Sequence, residues 1–89
     1  MVVGEGAGAV ILEELSSAEA RGATILGEVV GHGASTVADR RGIAQNDKAI
    51  TNVLHMALRS AGIQPGDVDH IHAHGLATHR GDEQEARGI

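Results

Sequence analysis

The sequence has no Phe, Tyr, Trp or Cys, and only one Pro and two Met in 89 residues. Without aromatic rings, any core must be built from Val, Ile, Leu and Ala, each of which buries less apolar area than a ring. The absence of cysteine leaves no disulfide framework, no thiolate zinc site and no thiol nucleophile within these residues. Cations are also scarce. Seven Lys and Arg stand against twelve Asp and Glu, for a formal net charge of -5. That argues against a nucleic-acid-binding surface, because phosphate binding needs clustered Lys and Arg. No apolar run approaches the ~20 residues a bilayer requires, and the amino terminus lacks a basic segment followed by an apolar one. The expectation is a small cytoplasmic protein with no membrane span.

Glycine is what the chain has in quantity, 13 in all, and the residues fall at plausible turns instead of forming a linker. Gly4, Gly6 and Gly8 suggest a nucleotide loop, but the spacing is GxGxG without the later glycine, and no strand of useful length precedes it. Small residues that let the backbone lie close to a neighbour explain them better, with Ala9 to Leu12 continuing as a strand buried on both faces. Glu13 to Arg21 reads as a short helix closed by Gly22, with Glu13, Glu14 and Glu19 on its solvated face. Ile25 to Val30 reads as a second strand. Residues 34–45 carry few apolar side chains and two adjacent arginines, and are expected to be an exposed connection.

The clearest periodicity lies further on. Ala49, Ile50, Val53, Leu54, Ala57, Leu58 and Ala61 fall on one helical stripe, with Asn46 or Asp47 to cap its start and Gly62 and Pro65 to stop it. A turn at residues 64–67 then feeds a strand from Val68 to Ala73, and a helix is expected from Gly81 onward. Strands alternating with helices predict an α/β chain whose mixed, mainly parallel sheet is covered by helices. Parallel strands need partners on both sides, so three of them make a thin structure, predicted to be marginally stable and prone to associate.

The chemistry concentrates in residues 70–85. His70, His72 and His74 alternate along the predicted strand, Gly75 breaks it, and His74 stands at its carboxyl end, the edge where ligands bind in open α/β sheets. One reading of His72 and His74 is a metal-dependent hydrolase with two imidazoles on one strand face and further ligands from His70, His79, Asp82 or Glu83. The plainer reading makes His70, His72 and His79 ordinary polar residues, His32 and His55 solvated ones, and Asp82 and Glu83 favourable acids in a first helical turn.

The whole pattern resembles a known family. Gly4-Glu5-Gly6-Ala7-Gly8, the run to Leu15, Ala20 to Ala23, Gly27 to Gly31 and the HGxxTxxxDxxE stretch of His74, Gly75, Thr78, Asp82 and Glu85 are similar to the β-ketoacyl-acyl-carrier-protein synthases. These are condensing enzymes of the thiolase fold. The resemblance implies an interior piece of a much longer chain, with residues 1–33 ending a first pseudo-repeat, 34–45 connecting, and 46–89 beginning a second. It implies decarboxylative Claisen condensation, with no resident cofactor, no metal, and substrates carried on the phosphopantetheine of an acyl carrier protein. His74 then matches a histidine that assists malonyl decarboxylation, Thr78 a threonine that meets the phosphopantetheine arm, and Glu85 an acid paired with a lysine beyond Ile89. The nucleophilic cysteine would lie before Met1 and a second histidine after Ile89. Homodimers or heterodimers are implied for the full-length protein, and the isolated 89 residues are expected to be inactive. Leu76 stands where a hydroxyl is common in the family, His72 where Asn is usual, and 34–45 lacks the usual proline run. A non-condensing partner subunit of the chain-length-factor kind has much the same framework, so that alternative stays open.

Overall fold

The computed structural model describes residues 3–89; the first two positions of the predicted opening segment lie outside them. Three helices form, α1 (Leu15–Ala20), α2 (Asn46–Ala61) and α3 (His79–Gly88), with a 3-10 turn at Pro65–Asp67 before the last. The helices follow from local chemistry. Gly62 takes a left-handed conformation (φ 70°), and the N–H groups of Gly62 and Ile63 close back onto Arg59 and Leu58, as a helix stop requires. Gly22 ends the segment after α1 in the same way, at φ 67°.

The structure moves three predicted boundaries. α2 begins at Asn46 itself, so Gln45 occupies the cap position, and no side chain caps it. α3 begins at His79, two residues before Gly81, because Thr78 is already extended at the cap (φ -115°, ψ 132°). Glu13 lies ahead of α1 and is not merely solvated: its carboxylate takes Arg21 in a two-oxygen ion pair, closest approach 2.6 Å, and accepts the Ser17 hydroxyl. These partners, Arg21 first, hold the Glu13 carboxyl below its ordinary range. Residues 34–45 are the exposed connection expected, with a local turn inside it. Asp39 Oδ1 accepts the N–H groups of Arg41 and Ile43, Gly42 turns at φ 77°, and Ala38 bridges Ala44.

The predicted sheet is not assembled among the described residues: no strand forms there, and the Ala38–Ala44 bridge is isolated. Ala9 to Leu12, Ile25 to Val30 and Val68 to Ala73 were each expected to be flanked on both sides. A ladder bond needs a neighbour's N–H or C=O, and these three segments do not pair with one another. Their side chains stay in solvent instead, with Ile11 93% and Leu26 97% exposed. The chain is correspondingly open: its radius of gyration is 16.8 Å, against about 12 Å for a compact domain of this length.

The packing that does exist is built on α2. Gly31 and Gly33 lie directly against it, where side chains would collide with the helix: a β-carbon on Gly33 would stand 2.6 Å from the Val53 carbonyl oxygen, and one on Gly31 would overlap that of Ala57. From the other direction Gly88 brings α3 onto α2 so closely that a β-carbon there would sit 2.8 Å from Ile50 Cβ. Thr51 Oγ1 stands 3.1 Å from the Gly88 carbonyl. These contacts bury little apolar area. Among the described apolar residues only Ala18 is buried, and no large side chain is fully so.

Unpaired apolar segments of this kind promote association. The 9.1 kDa chain is therefore expected to sediment as species whose mean mass rises with concentration. A concentration-independent monomer with a cooperative thermal transition would contradict that.

Candidate functional site

The groove between α2 and α3 brings together two of the predicted site residues, His74 and Glu85. A cavity of about 360 Å³ is lined by Ala49, Ile50, Val53 and Leu54 of α2, by Asp82 and Glu85 of α3, and by His74 and Leu76 of the intervening loop. Its floor is thus the apolar stripe of α2. The helical stripe read from the sequence is in part a cavity wall.

The loop itself has an unusual backbone. Gly75 sits at φ 56° and Ala77 at φ 60°, so two left-handed residues flank Leu76. Ala77 is the informative one, since a residue with a β-carbon rarely adopts this region without other contacts that fix it. Leu76 remains 48% exposed and forms part of the cavity wall. At the position where a hydroxyl was expected by resemblance, the cavity therefore has an apolar face.

Glu85 fixes the loop. Its Oε1 accepts the His74 backbone N–H at 2.7 Å, and its Oε2 accepts that of Gly75 at 2.9 Å. These two bonds, the Gly75 one first, pull the Glu85 carboxyl below its ordinary value against an opposing effect of burial. The carboxylate is thus ionised across the neutral range. Among the described residues its observed partners are main-chain donors.

Thr78 lies just outside the cavity lining, as the cap residue of α3. Its hydroxyl makes no capping bond, although hydroxyls at this position commonly accept one. Instead Oγ1 occupies the space over Gly81 that a side chain there would take. Gly81 therefore has a role that its place in a sequence of helix formers did not disclose.

Asp82 was expected as a first-turn acid and is one, but Oδ1 is also buried without a hydrogen-bond partner beside the cavity. Glu83 pairs with Arg87 one turn on, at the surface. The histidines separate into two groups. His74 joins the cavity, while His70 and His72 stay on the exposed approach with ring centroids 6.3 Å apart, and His79 opens α3. A metal centre would need three or more convergent ligands, and among the described residues no group of three His, Cys, Asp or Glu gathers in that way. No helix of the described residues is long and apolar enough to cross a membrane.

Comparison with known proteins identifies a family. Residues 4–89 match the family described as Beta-ketoacyl synthase, C-terminal domain. The 3-oxoacyl-[acyl-carrier-protein] synthase 2 of Staphylococcus aureus is 42% identical over 91 residues, covering 99% of this chain and 22% of the relative. The protein of the same name from Rhizobium meliloti is 46% identical over 78 residues, covering 86% of this chain and 18% of the relative. The chain thus spans about a fifth of the length of the curated relatives it matches. No solved structure matches it.

Proposed function

Because the chain belongs to the β-ketoacyl synthase family, within its C-terminal domain, we propose that it is an interior part of a 3-oxoacyl-acyl-carrier-protein synthase. The reaction would be decarboxylative Claisen condensation of an acyl thioester with malonyl-carrier protein, in fatty-acid or polyketide synthesis in the cytoplasm. The observation that supports it best is the meeting of His74, Asp82 and Glu85 at one cavity, with Thr78 beside it.

In this reading the carbon–carbon bond to the malonyl carboxylate breaks, carbon dioxide leaves, and the electron pair passes onto the thioester carbonyl as an enolate. The His74 imidazole N–H donates to that oxygen as its charge develops. Such a donor, held in place before the reaction, acts where stabilisation is worth most. The enolate carbon then attacks the acyl thioester carbon, and the thiolate that carried the acyl group departs. No cysteine is present in these residues, so the acyl-carrying thiol belongs to other polypeptide. Thr78, with its hydroxyl free of a cap bond, would meet the phosphopantetheine arm, and Leu76 would offer that arm an apolar surface.

The sheet and the repeat division belong to the same proposal. Residues 1–33 would close a first pseudo-repeat, 34–45 connect, and 46–89 open the second, with the exposed segments 9–12, 25–30 and 68–73 entering a thiolase-like, mainly parallel sheet supplied by the remaining chain. Dimerisation and docking of an acyl carrier protein would be properties of that full-length protein.

The test is an assay with acyl- and malonyl-carrier protein on the full-length protein and on the 89 residues alone. The full-length protein should release carbon dioxide and form the 3-oxoacyl product, and the 89 residues should do neither, for want of a nucleophile. Turnover by the short chain would overturn the reading. Decarboxylation without condensation by the full-length protein would identify a non-condensing partner subunit instead.

A further inference from the structure

Residues 69–77 make no backbone–backbone hydrogen bond to the rest of the described chain. The two bonds from His74 N–H and Gly75 N–H to the Glu85 carboxylate are the hydrogen bonds that tie this segment to a helix. We propose that Glu85 is a positioning residue for His74, acting through the main-chain N–H groups of His74 and Gly75 and not through the imidazole. This deepens the proposed function and rests on it, because positioning matters only if His74 performs chemistry.

Three observations carry the inference. The grip is specific, since each carboxylate oxygen takes one of two consecutive N–H groups. An amide in its place could accept one of them, but its own NH2 would face the other donor. The segment also has reason to leave: Gly75 and Ala77 are both left-handed, and Ala77 has a β-carbon that disfavours that state. Glu85 itself is on a fixed element, because one turn further along α3 Gly88 is in close contact with Asp47 and Ile50 of α2. The route therefore runs from the α2–α3 contact through a carboxylate to the peptide that carries the histidine. It differs from a supporting ion pair, because a cation reaching Glu85 from elsewhere would add to the two bonds and would not replace them.

The experiment uses the full-length synthase and the Glu85→Gln, Glu85→Asp and His74→Ala variants, with the Glu85→Gln change also made in the His74→Ala background. Malonyl-carrier-protein decarboxylation is measured as kcat and KM, and hydrogen exchange is followed in peptides covering 69–78. Glu85→Gln should accelerate exchange at residues 74 and 75 and lower kcat by about 10²-fold, the scale of a displacement near 1 Å, with KM little changed. Glu85→Asp should recover part of both. In the His74→Ala background the Glu85→Gln change should cost nothing further, since the group being positioned is gone. An unaltered kcat in Glu85→Gln, or an equal loss in both backgrounds, would overturn the positioning role. If Glu85→Gln does not fold, Glu85→Asp decides by the same two readouts. Full decarboxylation by His74→Ala would instead overturn the proposed function, while the exchange data would still report whether the grip exists.

Discussion

Replacing His74 with alanine is expected to lower malonyl decarboxylation by the full-length synthase about 10²–10³-fold, the loss that follows removal of one preorganised donor to a developing oxyanion. Binding of the acyl group should persist, because that step needs the thiol and not this imidazole. The effect ought therefore to appear in carbon dioxide release and in overall condensation, while single-turnover acylation keeps its rate. His74→Gln, which retains a side-chain N–H donor, should recover some of the loss. An alanine variant that decarboxylates as fast as the parent would mean that His74 is an ordinary polar loop residue. The step does not need the imidazole to change its charge. It requires only a ring N–H within hydrogen-bond reach of the place where negative charge appears.

A comparably large effect, on folding and not on chemistry, is expected at Gly31 and Gly33. Each glycine faces backbone atoms of α2, and a helix carbonyl cannot rotate away as a side-chain tip can. Overpacking at a well-fitted contact costs about 1–3 kcal/mol, a large share of what a chain with so little buried area can have. Gly31→Val and Gly33→Val should each abolish most of the helical circular dichroism of the 89-residue chain at 25 °C. Gly27→Ala is the control, because nothing lies within 4 Å of a β-carbon built there, and substitutions of that kind stay within about 0.5 kcal/mol. If the two valine variants melt like the parent, the segment 31–33 does not lie against α2 in solution.

The sequence disclosed most where structure is written locally. α2 was legible because its apolar stripe, its stop at Gly62 and its helix formers agree over 16 residues. Gly22 was legible for the same reason, since the left-handed turn after a helix is a choice that glycine makes almost alone. The strands were read from composition and alternation, which say that a segment suits a sheet but not that a neighbour is at hand. The site divides along the same line. His74 could be picked out at the end of its alternating run, and Thr78 and Glu85 through the family resemblance, whereas the actual partners of Glu85 could not. Backbone donors have no side-chain signature, and the contact depends on how α3 docks. Nor could the cavity beside Leu76 be inferred, because the same apolar stripe would serve equally well as filled core.

Ala77 has a consequence of its own. At φ 60° it is held in a state that costs an ordinary L-residue roughly 1–2 kcal/mol, so the turn behind His74 resembles a drawn spring whose catch is a single carboxylate eight residues downstream. What opposes its relaxation is borne by the neighbouring His74 and Gly75, whose N–H groups are the ones Glu85 holds.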